Sequence, residues 1–474
     1  MLSHLWTLWD SEDTLLAAPE GVLFSELPGG GLSLLVASRG EEGFGRLTLS
    51  PDGQIADADW SADPLARGVD GLTRVDGLGQ VSLGRDTGLI DTGALLRDMG
   101  IEGRLAAITA TIGGDWVVSA ASGQSGLALH RWDGSALGLH ARIADSGLLP
   151  LGDVVALDAL ETARKSLIFA ISAVDGGIVS YHVTDHGDAR LRDVETPGGD
   201  FPAWLPTVLT TAEVDGRDFV IVGASGSNTI SVFEVRERGG LVHRETLTDT
   251  HDTRFAGIDV LEQAVIGGRT VLVAAGADHG LTLLELHHDG GLSLLDVIWD
   301  DHDTALTDPS AIALMPGEVL RIAVTDRVEG AVSVYTLELS PVHARLVGDR
   351  APDTITGGAQ NDVIDGRGGR DVLEGGAGDD FLTDGRARDI LTGGDGVDTF
   401  IFHRDNATDR ITDFQDGLDR IDLRDYGLAG FDALDIRPNR DGANIFIGAE
   451  KLVVDSWDGK RLRLEDWGAD DFLF

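Results

Sequence analysis

The sequence contains no cysteine, which removes disulfide frameworks, thiolate zinc sites and thiol nucleophiles at once. Positive charge is scarce, with 37 Lys and Arg against 80 Asp and Glu and a formal net charge of −43. Such a surface repels nucleic acid and anionic headgroups, so no nucleic-acid partner is expected and cations are the natural ligands. No stretch of about 18 uncharged apolar residues occurs, so no membrane-spanning helix is expected. Residues Met1 to Leu16 lack a basic segment, a sustained apolar run and a small-residue cleavage site, and no N-terminal signal peptide is expected. Also missing are H-E-x-x-H, G-x-S-x-G and the G-x-x-x-x-G-K-[ST] phosphate loop.

What is present is length, glycine and repetition. The 474 residues, with 64 Gly and 42% hydrophobic residues, suit a folded chain of two or three domains rich in tight turns. From about residue 21 to 347, short β-rich runs such as Trp116 to Ala121, Phe219 to Ala224 and Leu320 to Thr325 return about every 51 residues. A turn and an alternating strand follow each, as in Gly126 to Arg131, Thr229 to Glu234 and Val332 to Leu337. Alternation predicts half-buried strands. Four strands per repeat, with no helical periodicity, predict an all-β fold whose N-terminal part, residues 1–347, is a β-propeller of about seven four-stranded blades. Gly21 to Trp60 and Ser61 to Ile101 are the two degenerate blades in that count.

From Gly348 the period is nine. The chain reads GDRAPDTIT, GGAQNDVID, GRGGRDVLE, GGAGDDFLT, DGRARDILT and GGDGVDTFI without interruption, the G-G-x-G-x-D-x-U-x pattern of a parallel β-helix. Residues 348–401 are therefore expected to form a parallel β-roll. The sixth position is always Asp (Asp353, Asp362, Asp371, Asp380, Asp389, Asp398), and the eighth always apolar (Ile355, Ile364, Leu373, Leu382, Leu391, Phe400). With two nonapeptides per coil, Asp353, Asp371 and Asp389 should line one edge, and Asp362, Asp380 and Asp398 the other.

One inward side chain per nine residues buries too little area to offset the ordering of a glycine-rich chain, so the coils need another source of cohesion. Glycine permits the backbone to turn carbonyl oxygens towards a common point, and Asp adds a charged oxygen. An all-oxygen donor set favours calcium over zinc or copper. Several calcium ions are expected, held by Asp353, Gly357, Asp362, Gly366, Gly369, Asp371, Gly375, Gly376, Gly378, Asp380, Asp389, Gly393, Gly394, Gly396 and Asp398. Asp349, Ala351, Gln360, Arg367, Asp384 and Ala387 stand where glycine is expected, which predicts weak sites in the first and fifth repeats.

Asp362 to Asp380, DVIDGRGGRDVLEGGAGDD, resembles the hemolysin-type calcium-binding signature of the RTX family. Phe400 to Leu423, FIFHRDNATDRITDFQDGLDRIDL, and the closing LRLEDWGADDFLF resemble the C-terminal cap of serralysin-like secreted proteins. The resemblance implies a β-rich cap over 402–474 and a secreted, extracellular protein, exported by a type I secretion transporter that reads an uncleaved C-terminal signal. Asp470 and Asp471 before Phe472, Leu473 and Phe474 suit such a signal. With no zinc-protease motif, the N-terminal region is expected to be a non-enzymatic platform for an extracellular protein or polysaccharide.

The alternative is a propeller hydrolase acting on a lactone, ester or phosphate. His251, Asp252 and Thr253 recur 51 residues later as His302, Asp303 and Thr304, and His with carboxylate can hold a metal or move protons. Turn residues copied with the repeat are the preferred reading of that recurrence. Trp116, Trp132, Trp204 and Trp299 are expected to pack between blades rather than to bind sugars.

Overall fold

The computed structural model describes the chain apart from residues 1, 12–13, 15, 28–30, 40–42, 51–52, 63–70, 76–78, 84–88, 92–95, 99–104, 111–115, 134–136, 146–148, 163–164, 199–200, 251–252, 301–303, 318, 340–343, 427, 429, 449, 469–470 and 474. It divides into two compact units, Met1–Leu339 and Ser340–Phe474.

Among the described residues, the first unit is built of seven four-stranded antiparallel sheets. Six are sequential, spanning residues 19–62, 71–98, 105–143, 154–195, 206–248 and 260–299. The seventh takes three strands from 309–337 and its outermost from Leu2–Trp9, which pairs antiparallel with Ala331–Leu337. The first strand of each sheet packs on the first strand of the next, and Pro309–Met315 packs on Pro19–Leu27 to close the ring. This is a seven-bladed β-propeller, latched where the chain's first strand completes its last blade. Numbering the blades from residue 19, Thr7 and Ser333 reinforce the latch with a hydroxyl hydrogen bond of 2.9 Å in blade 7.

In blades 4 to 7 the third strands are buried almost throughout, which corrects the half-buried expectation there: in Gly280–Leu286 every residue is buried, and in Thr229–Val235 all but one, whereas Leu127–Trp132 of blade 3 stays half-buried. GLTLLEL carries a polar residue on each face, Thr282 on one and Glu285 on the other, yet both faces of the strand are buried. Thr282 is fully buried and its hydroxyl accepts the N–H of Arg254 at 2.7 Å. Exposure concentrates instead in the outermost strands, as in Leu137–Ile143.

The tryptophan expectation also needs correction. Trp116 is buried, its indole N–H donating to Asp185 O at 3.3 Å, but Trp204 is 67% and Trp299 49% exposed. Trp299 ends the outermost strand of blade 6, where no further strand covers it, and the Arg254 guanidinium lies 3.4 Å from its ring centre.

The second unit is a parallel β-solenoid. One sheet runs Ala344–Val347, Asp362–Asp365, Phe381–Thr383, Thr399–Ile401, Arg420–Asp422 and Phe472–Leu473. The facing sheet runs Thr354–Thr356, Val372–Ala377, Ile390–Asp395 and Thr408–Phe414, then continues into the cap through Glu450–Ser456, Gly442–Ile447 and Asp435–Pro438. Register advances two nonapeptides per coil, with Ile355 opposite Leu373, Leu373 opposite Leu391, and Ile364 opposite Leu382. Ile364, Leu373, Leu382, Leu391 and Phe400 have no exposed surface and form the core ladder. The cap adds Ile411, Phe414, Ile421 and Phe472 to the same core.

Candidate metal centre

The solenoid turns the sixth-position aspartates into two ladders. On one edge, the Oδ1 of Asp371 accepts the backbone N–H of Asp353 at 2.8 Å, and that of Asp389 accepts the N–H of Asp371 at 2.8 Å. On the other, Asp380 accepts from Asp362 at 2.7 Å, and Asp398 from Asp380 at 2.9 Å. Each bond spans 18 residues, one coil. The ladders continue past the repeats, for Asp409 accepts from Asp389 and Asp419 from Asp398, both at 3.0 Å.

One oxygen of each carboxylate is thus committed to shaping the neighbouring turn. The second oxygens of Asp371, Asp380, Asp389 and Asp398 are buried with no hydrogen-bond partner, a costly state for a charged oxygen. Asp353 and Asp362 differ, because their second oxygens accept the N–H of Asp349 at 2.8 Å and of Gly358 at 2.5 Å.

The first-position glycines keep the space beside these oxygens clear. A Cβ on Gly366 would sit 2.8 Å from Asp371 Oδ2 and 2.6 Å from Asp384 O, and one on Gly348 2.7 Å from Asp353 Oδ2 and 2.8 Å from Gly366 O. Gly357, Gly375 and Gly393 stand the same way to Asp362, Asp380 and Asp398. The second and fourth positions are where φ turns positive, at Gly376 and Gly394 in the second and at Gly369, Gly378 and Gly396 in the fourth, with values from +106° to +145°. Ala387 occupies a fourth position at φ +85°, a conformation a side chain makes costly. The expected residues are therefore brought together in space, with carboxylate and carbonyl oxygens converging beside glycine.

Burial, the largest cause, pushes these carboxyls above the ordinary range; the N–H from the preceding turn opposes the shift and nearby carboxylates add to it. Asp389 is raised to about 8, Asp398 and Asp409 to about 7, and Asp380 and Asp419 to about 6. Asp371 is also raised. Without a counter-charge these carboxyls take protons more readily than free ones; a hard divalent cation would supply the same compensation with more ligands.

Asp409 and Asp419 fall outside the nine-residue register, which breaks after Ile401. A weaker signal marks them: Asp409-Arg410-Ile411 and Asp419-Arg420-Ile421 keep the Asp-x-apolar triplet of the repeats.

In the propeller, His251, Asp252, His302 and Asp303 lie outside the described residues. The residues around them show what the recurrence copies. Asp249 and Asp300 directly follow the outermost strands of blades 5 and 6, and Asp10 follows that of blade 7. Each accepts, on Oδ1, the N–H of a fully buried apolar residue six positions on: Leu16 at 3.1 Å, Phe255 at 3.1 Å and Leu306 at 2.9 Å. Thr253 adds its hydroxyl to Asp249 at 2.7 Å. In blade 3, buried Ser119 and His130 hydrogen-bond at 2.9 Å, where blades 4 and 5 place Tyr181 and Phe233 at the histidine position. Burial first, and Arg142 second, disfavour the imidazolium of His130.

A family model described as the RTX calcium-binding nonapeptide repeat (4 copies) matches residues 345–373, 365–400 and 374–408. No curated protein matches the chain. Among solved structures, a functionally unknown protein from Desulfotomaculum acetoxidans DSM 771 is 11% identical, with TM-score 0.46, over 63% of this chain and 90% of that one. Hydrazine synthase of Kuenenia stuttgartiensis is 10% identical, with TM-score 0.47, over 70% and 98%. A proposed 6-phosphogluconolactonase from Bacteroides uniformis ATCC 8492 is 11% identical, with TM-score 0.44, over 60% and 86%. None of the three is similar enough to lend this chain a function. The segment 345–408 is a run of RTX calcium-binding repeats.

Proposed function

We propose that this protein is exported unfolded by a type I secretion transporter, folds its tail around calcium on both edges of the solenoid outside the cell, and uses the propeller as an adhesion platform for an extracellular protein or polysaccharide. The carrying observation is the set of buried, unpartnered second oxygens on Asp371, Asp380, Asp389 and Asp398. In this reading they are ligands, joined by carbonyl oxygens of the glycine turns at Gly366, Gly369, Gly375, Gly376, Gly378, Gly393, Gly394 and Gly396. Asp353, Gly357 and Asp362 complete the earlier coil.

Calcium dependence and export support one another. The C-terminal segment proposed as the export signal ends in Phe472–Leu473, a strand that pairs with Arg420–Asp422, with Phe472 only 3% exposed. Folding therefore buries Asp471 and Phe472 of that segment. Where calcium is scarce, repelling carboxylates keep the tail open and the segment readable; where it is abundant, folding withdraws the tail from the exit route. Support for the platform comes from Trp204 and Leu205, 67% and 56% exposed in the connection before blade 5, since apolar groups held in water mark binding surfaces.

Titrating the metal-stripped protein with calcium, followed by circular dichroism, should produce a gain of β signal that chelation reverses. A protein whose spectrum ignores calcium would end the reading. Deleting residues 470–474 should abolish appearance in the medium, and undiminished export of the deletion would remove the transporter from it.

A further inference from the structure

The fifth nonapeptide begins with Asp384 where the other five begin with glycine. Its side chain is 1% exposed and directed among buried carboxylates: one oxygen from each of Asp384, Asp389 and Asp409 lies within 4.8 Å of one from the others. Asp389 has no exposed surface and Asp409 has 5%. Asp409 lies one residue past the last position the repeat model matches.

Three buried carboxylates this close demand positive charge, and the hydrogen bonds among the described residues supply it only when His403, which meets Asp384, is protonated. Asp384 Oδ1 accepts the N–H of Gly385 and the N–H of His403 at 3.1 Å. Asp389 Oδ1 is taken by the N–H of Asp371, and Asp409 Oδ1 by the N–H of Asp389. Asp389 Oδ2 is left fully buried without a partner. The nearby imidazole, with Nδ1 3.2 Å from Asp384 Oδ1, braces that carboxylate as outer groups brace metal ligands.

We propose that Asp384, Asp389 and Asp409 hold a divalent cation of their own, calcium by their all-oxygen chemistry, in a site of higher charge than those between regular coils. The inference rests on the reading that the tail binds calcium and adds a separate class of site to it. A third carboxylate raises affinity, because ligand charge tunes calcium binding over orders of magnitude. The location gives the ion a particular task. Asp384 and Asp389 precede the strand Ile390–Asp395, and Asp409 lies in Thr408–Phe414, which pairs with it through Leu391 and Ile411. The spacing between successive ladder aspartates lengthens here from 18 to 20 residues. The cation ties the last regular coil to the first irregular one.

Equilibrium dialysis of the full-length protein against labelled calcium, at neutral pH, decides the matter. Asp384→Gly restores the glycine of the other repeats, so if Asp384 were only a flaw in the pattern, the variant would bind as much calcium, as tightly or more so. The proposal expects the opposite: the tightest class of site weakens by about tenfold or more while the remaining sites keep their affinity. Asp384→Asn, which preserves shape, should weaken the same class, and it decides alone if the glycine variant does not reach the wild-type circular dichroism in excess calcium. Undiminished tight binding in the folded variant overturns the proposal. A wild-type protein that takes up no calcium would instead overturn the reading of the whole tail.

Discussion

Asp371, Asp380, Asp389 and Asp398 face two demands, one oxygen shaping a turn and the other buried without a partner, and pH acts on these carboxyls and on the ladder's later members. In calcium-free protein Asp380, Asp389, Asp398, Asp409 and Asp419 titrate at about 6 to about 8, against about 4 for a carboxyl in the unfolded chain. A folded-state pKa raised above the unfolded value means the folded tail binds protons more tightly. That contribution to stability is complete below pH of about 4 and is lost as pH rises through the folded values. Metal-stripped protein, its tail open at neutral pH in this reading, should therefore keep more of its tail folded, and melt at a higher temperature, at pH 5 than at pH 8. With calcium the order reverses, since protons compete with the ion and affinity falls on acidification. Thermal melts at both pH values, with and without calcium, check both signs; pH-independent melting of the stripped protein would contradict the buried carboxylates.

At the scale of elements, the roll was the more legible half, because a solenoid's register is a property of local sequence. The same period that spaces Asp371 from Asp389 also stacks Leu373 on Leu391. The propeller was legible in its strands and its blade number but not in its burial. The pattern of Gly280–Leu286 does not say that a neighbouring blade covers Thr282. Nor did the His-Asp-Thr recurrence disclose that the copied feature is an aspartate just before it, Asp249 or Asp300, fastening a buried Phe255 or Leu306. The closing strand of the solenoid carries its own test. Phe472 packs its ring 5.3 Å from Trp467, which stacks on Phe414 at 5.2 Å. Phe472→Ala should lower the stability of the calcium-loaded tail by about 3–5 kcal/mol, measured by chemical denaturation; a change under about 1 kcal/mol would show that the strand adds little to the core.

For the whole molecule, the two units draw on different sources of cohesion. The propeller buries apolar side chains on both faces of its blades and is closed by a strand from the other end of its own sequence. The solenoid has a single apolar ladder between two acidic edges. A calorimetric scan should accordingly show two transitions, of which only the tail's moves with calcium, by an amount that grows with ion concentration as linkage requires. One merged transition shifting as a unit would mean that the propeller too depends on the ion.

By itself the sequence determined the two repeat periods, the all-β class, the pairing of Asp353, Asp371 and Asp389 against Asp362, Asp380 and Asp398, and an oxygen-only donor set suited to calcium. Those follow from spacing and side-chain chemistry, which a linear text carries in full. Tertiary structure decided which carboxylate oxygens remain without partners, that Asp409 and Asp419 extend the ladders, that Asp384 joins Asp389 and Asp409, and that Trp204 and Trp299 stay in water. Each of these depends on what covers or meets a residue after the chain has folded back on itself, and no local period records that.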